Sequence, residues 1–245
     1  MKVSEKLKFL TRDELVEHGA IDIVIFGDSV SHGAFGKGEQ DYEAVYHNRL
    51  RQKLNAVNPY PPINMINSAI GATSADSSQH RFERQALRYD PDLIIMCFGL
   101  NDVHGTLEMF DTALHNMFQM AKERGTDIIF MTPNMLNTYV SDDLDDEAFI
   151  ECAHRTAAHQ NSGRMDEFID LAKRVCKEFD IPVCDCYAKW KELSKTEDIT
   201  MLLSNRINHP TREMHELFAE ELFKMIMADS DTVEYTDDST VYFGN

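Results

Sequence analysis

A chain of 245 residues, 43% apolar and 27% charged, is long enough to bury a full core. Its formal charge of −18 excludes nucleic acid or an anionic membrane surface as the main partner. The longest uninterrupted apolar run, Leu93 to Phe98, falls far short of the roughly 20 residues that cross a bilayer.

The first twenty residues mix Lys2, Glu5, Lys6, Lys8, Arg12, Asp13 and Glu14 with scattered apolar positions, so they read as a lead-in without a secretory apolar core. A cytoplasmic location is the expectation. The five cysteines, Cys97, Cys152, Cys176, Cys184 and Cys186, are odd in number and fit a reducing compartment better than a disulfide framework. Cys184 and Cys186 would share one face of a strand, but no further Cys or His pair sits nearby at ligand spacing, so no metal is expected.

In chain order, Ile21 to Phe26 is an apolar, β-branched run ending at Gly27, which predicts a buried parallel strand entering a turn. Val45, Tyr46, Leu50 and Leu54 recur at helical spacing and stop before Pro59. A short strand follows over Ile63 to Ile66, then a polar helix over Ala75 to Tyr89, then a fully apolar strand over Leu93 to Phe98. Phe110, Leu114, Met117 and Ala121 form one helical stripe ending at Gly125, and Ile128 to Met131 is a strand closed by Pro133. The acidic, Asn-rich stretch from Pro133 to Asp146 reads as a lid, a rim loop or a solvated excursion. Phe168, Ala172, Val175 and Phe179 mark the next helix, Ile181 to Cys184 a strand, and Met214, Phe218, Leu222 and Met225 a closing helix. Strands alternating with helices predict a three-layer α/β/α sandwich on a mostly parallel sheet. One domain over 1–245 is expected, with 1–20 as lead-in and an acidic tail over 229–245.

In such sheets ligands bind where loops gather at the carboxyl ends of the strands. The first of these loops holds Gly27-Asp28-Ser29-Val30, which sets a hydroxyl where backbone N–H groups are free to meet a developing oxyanion. The second, Asn67-Ser68-Ala69-Ile70-Gly71, offers the unhindered N–H of Gly71, and the third, Gly99-Leu100-Asn101-Asp102, offers a side-chain amide. Near the chain end, Asn208-His209-Pro210 supplies an imidazole in a proline-fixed turn. Together these are a nucleophile, a base and three oxyanion donors.

The four blocks, in this order, resemble the SGNH (GDSL-type) hydrolases, over roughly Ile21 to Met227. That resemblance implies a flavodoxin-like hydrolase fold with Ser29 as nucleophile and His209 as general base. It also implies an oxyanion hole formed by Ser29, Gly71 and Asn101, with no cofactor. It further implies a small-molecule or glycan ester as substrate, with acetyl the favoured acyl group. The chain departs from the family at one point. An aspartate usually stands three residues before the histidine, and here that position is Arg206; one residue earlier stands Asn205. Asparagine can orient a ring but cannot steady an imidazolium. His209 then leans on Asn205, on a backbone carbonyl or on another carboxylate such as Asp198 or Asp185, or it works poorly. The same departure motivates the alternative of a carbohydrate-binding pseudoenzyme. A nucleotide-binding domain finds no Gly-rich phosphate loop after any strand.

Asp28 and Asp102 are expected to brace their loops through backbone N–H groups. His32 and His104 follow the first and third motifs closely and are candidate substrate contacts, whereas His47, His80 and His115 read as helix-surface residues. Oligomeric state is not legible.

Overall fold

A computed structural model describes residues 2–228, so the acidic tail at 229–245 lies outside the described residues. In chain order the elements are α1 (Val3–Lys6), α2 (Arg12–His18), β1 (Ile21–Gly27), α3 (Ser29–His32), α4 (Tyr46–Val57), β2 (Ile63–Asn67), α5 (Ala75–Ser78), α6 (Phe82–Gln85) and β3 (Leu93–Cys97). They continue as α7 (Leu107–Arg124), β4 (Ile128–Met131), α8 (Glu147–Asn161), α9 (Arg164–Glu178), β5 (Val183–Cys184), α10 (Cys186–Leu193) and α11 (His215–Met227).

Among the described residues five strands form one parallel sheet in the order β2-β1-β3-β4-β5. Every residue of β3 and β4 is buried, and β1 is buried except at Asp22; such runs need cover on both faces. Helices supply it, α4 packing on α11 and α7 on both α5 and α9. The order reverses at β1, whose neighbours are β2 and β3, so a crevice opens beyond the carboxyl ends of β1 and β3. Gly27 ends β1 in register with Cys97 at the end of β3. The first and third loops therefore leave the sheet side by side.

Local chemistry explains the longer helices. Thr106 caps α7 by accepting the Met109 N–H at 3.2 Å, and Gly125 closes it in the left-handed conformation at φ 69°. The lead-in is built into the fold: Val3 and Leu7 join the core, and the Lys6 ammonium donates to the Asp92 carboxylate and the Ala20 carbonyl, both at 2.8 Å.

Four expectations change. The helix over Ala75 to Tyr89 is instead two short α-helices and two 3₁₀ turns, because the buried Arg81 turns inward. Its guanidinium stacks 4.3 Å from the Phe26 ring and donates to the Ser68 carbonyl at 2.6 Å, which overrides regular winding. The last strand starts at Val183, since the Ile181 N–H closes α9 on Cys176 and Pro182 has no N–H to offer. The stretch after Pro133 is not held over the crevice at its start: Asn134, Met135, Leu136 and Asn137 are buried, and α8 follows from Glu147. His47 is buried rather than on a helix surface, its Nε2 3.1 Å from the Ser31 carbonyl beneath α3.

Candidate active site

Ser29 is the first residue of α3, so its N–H has no carbonyl one turn back to donate to. Asp28 caps this turn: its Oδ1 accepts the Val30 N–H at 3.0 Å. The third loop is held by Asp102, whose Oδ1 accepts the Ala75 N–H at 2.8 Å and Oδ2 the Gly99 N–H at 2.9 Å. Burial pushes both carboxyls up to about 7. Asp102 thereby ties the second loop to the third, and the neighbouring Asn101 adds a second tie, its Nδ2 donating to the Thr73 carbonyl at 2.9 Å.

His209 sits in a tight turn between Leu203 and Pro210, which form an isolated antiparallel bridge. The Ser204 N–H donates to the His209 carbonyl at 2.6 Å. Asn205 fills the turn: its Oδ1 accepts the N–H groups of Ile207 at 3.1 Å and of Asn208 and His209 at 2.9 Å each. With that oxygen committed to the main chain, Asn205 supports the loop and does not orient the ring. Arg206 takes a left-handed φ of 59° and turns outward to Asp143, 2.9 Å away.

The ring is placed at both nitrogens. Nε2 lies 2.9 Å from Ser29 Oγ, and Nδ1 lies 3.1 Å from the main-chain carbonyl oxygen of Phe35. A carbonyl only accepts, so Nδ1 carries the proton and Nε2 is left to receive one from the serine. Burial holds His209 below the ordinary histidine range, with the Phe35 carbonyl acting in the opposite direction. Asp198 accepts from the Tyr139 hydroxyl at 2.7 Å, and Asp185 is engaged by Thr132 Oγ1 at 3.1 Å and by Ala188 N–H. Neither carboxylate serves His209. Asn205→Asp is accordingly expected to leave turnover and the acid limb of the pH profile unchanged; a rise in turnover would restore Asn205 as the orienting group.

Of the sequence candidates, Ser29 and His209 meet directly. Gly71 stands beside Ser29, since a Cβ built on it would lie 3.7 Å from Ser29 Cβ. Its N–H donates to His32 Nδ1 at 3.2 Å, which puts the proton of neutral His32 on Nε2. His104 is exposed and faces the His159 ring at 5.1 Å. Sequence reasoning missed Phe35, because a main-chain acceptor leaves no residue-type signal.

A hydroxyl held by a half-buried imidazole, in the crevice of a parallel α/β sheet, marks a serine-type ester hydrolase. Residues 25–217 match the model of the GDSL-like lipase/acylhydrolase family, and the chain belongs to that family. It is 23% identical over 221 residues to an acetylxylan esterase of Geobacillus stearothermophilus, covering 83% of this chain and 93% of that protein. A crystal structure of an acetylxylan esterase from the same organism superposes with a TM-score of 0.66 at 21% identity, covering 84% of this chain and 94% of that one. A lipase/acylhydrolase from Enterococcus faecalis superposes at 0.64 and 20%, covering 85% and 96%.

Proposed function

We propose that the chain is a one-domain acetylesterase acting on a carbohydrate ester through Ser29 and His209, with an acyl-enzyme intermediate. The observation that carries this reading is the pair of contacts at His209, a serine hydroxyl on one ring nitrogen and an acceptor on the other. Ser29 Oγ attacks the ester carbonyl while its proton passes to His209 Nε2. The oxyanion takes hydrogen bonds from the Ser29 N–H and the Asn101 amide. The Gly71 N–H joins them when His32 yields it. His209 then returns the proton to the leaving alcohol, and water, activated by the same ring, releases the acid.

The named activity of the Geobacillus stearothermophilus relative supports acetyl as the acyl group and a glycan as its carrier. The charge of −18 supports a substrate other than nucleic acid and a site of action away from anionic membranes. Among the described residues no helix is long and apolar enough to cross a membrane. Five unpaired cysteines support a reducing compartment such as the cytoplasm. The complete hydrogen-bond relay favours hydrolysis over a binding-only role.

A serine-directed fluorophosphonate tests the assignment. Labelling is expected at Ser29 alone and is expected to vanish in His209→Ala; label on another serine, or none, would overturn it. Acyl chain length is read from a series of p-nitrophenyl esters, with acetate expected to be turned over fastest.

A further inference from the structure

We propose that Arg212 is a positioning residue for His209, clamping the hairpin whose Phe35 carbonyl holds the ring; this rests on Ser29 and His209 being the reacting pair. A carbonyl carries no net charge, so its value as an acceptor depends on being held still. The segment that carries it is not rigid by composition. Residues 33–41 include Gly33, Gly36 and Gly38, and the first and last of these adopt φ of 104° and 68°. They form a small hairpin, bridged at Ala34 and Gln40, in which the Phe35 N–H donates to the Glu39 carbonyl at 3.0 Å and the Asp41 N–H to the Gly33 carbonyl at 2.8 Å.

Arg212 stands three residues after His209, on the base's own turn, and reaches back to this hairpin. Its Nε donates to Asp41 Oδ2 at 2.8 Å and a terminal nitrogen to Glu39 Oε1 at 2.6 Å. Its guanidinium lies 4.6 Å from the centroid of the Phe35 ring, which is fully buried. His215 adds a second ring contact to Phe35 at 4.8 Å, and its own Nδ1 is fixed by the Tyr46 N–H at 3.1 Å. The base and its acceptor are thus joined twice, once through Nδ1 and once through Arg212. Two ion pairs and a stacked plane from one side chain are what arginine provides and lysine does not.

The test uses p-nitrophenyl acetate with the full chain. Arg212→Ala is expected to lower kcat about tenfold with KM changed less than about twofold, since geometry at the base is lost and binding is not. Phe35→Leu keeps the carbonyl, removes the ring and should lower kcat similarly. The double variant should be no slower than the worse single one, because both act on one contact. An unchanged kcat in Arg212→Ala, or losses that multiply, would overturn the proposal. Should Arg212→Ala not fold, Glu39→Gln removes one arm of the clamp at an exposed carboxylate. A fall of about twofold to threefold in kcat at constant KM is then expected, and an unchanged kcat overturns the clamp. Ser29→Ala is assayed alongside. Residual wild-type turnover there would overturn the reacting pair and the clamp with it, whereas a dead Ser29→Ala beside a fully active Arg212→Ala would overturn the clamp alone.

Discussion

Ser29→Ala and His209→Ala are each expected to lower kcat on acetyl esters by about 10⁴-fold, and the double variant to fall no further. As the proposed nucleophile and base they act as one unit, the Ser29 hydroxyl already standing 2.9 Å from the Nε2 that would take its proton. Single-turnover and steady-state rates on the three variants check this, and multiplicative losses would show that the two side chains do not share a step. The same pair fixes the pH dependence. The proposed base has to be neutral to act, and burial holds His209 below the ordinary value of about 6.5, so the acid limb of kcat/KM should fall below that pH. The linked stability has the matching sign. The fold prefers the neutral ring, so this contribution is present above about pH 6.5 and is lost as pH falls through the depressed folded value. An acid limb above about 6.5 would mean that an unseen carboxylate stands behind the ring.

The second large effect is structural. Gly27→Ala should destabilise the fold by about 3 kcal/mol or more and lower Tm by about 10 °C. A Cβ at Gly27 would lie 2.7 Å from the Cys97 carbonyl oxygen, a main-chain atom of the adjacent strand that cannot rotate away, and 2.7 Å from Ser31 Oγ. Relief requires β1 to separate from β3, directly beneath the nucleophile. Gly71→Ala is the control, because the nearest atom to its Cβ would be 3.5 Å away and its thermal unfolding should stay near that of the parent. Equal Tm for the parent and Gly27→Ala would show that the close approach is not sustained in solution.

How far the sequence announced this molecule differs by element. The central strands are legible because burial on both faces demands unbroken apolar runs, as Leu93 to Phe98 and Ile128 to Met131 show. Helix α7 is legible from its stripe and its glycine stop. Helix α8 is not, because its buried face is made of Ala153, Thr156, Ala157 and Gln160, small or polar groups that carry no hydrophobic period. The broken helices around Arg81 were hidden for a related reason: the residue that dictates them is a charged one turned inward to main-chain carbonyls. At the site, Ser29 and His209 were found from residue type and order, and the geometry brings them together. The environment of the histidine was open between side chain and main chain. Only coordinates distinguish these, since any residue at position 35 presents a carbonyl. Arg206 has no acceptor to offer the ring, and Asn205, the natural substitute by position, spends its oxygen on three N–H groups of its own turn.

The ties between the second and third loops bear on how this site can change. Asp102 and Asn101 fasten residues 73–75 to residues 99–102 through the Ala75 N–H and the Thr73 carbonyl. The Asn101 amide, proposed as one oxyanion donor, is thereby set in place when the chain folds, whereas the Gly71 N–H has first to be released by His32. Selectivity among esters must then be written elsewhere. Three large exposed side chains on the segments that follow β1, β2 and β4, namely Tyr42, Ile70 and Tyr139, take no part in those ties. A library confined to these three positions should redistribute substrate preference while leaving the rate on the smallest acetyl ester nearly constant.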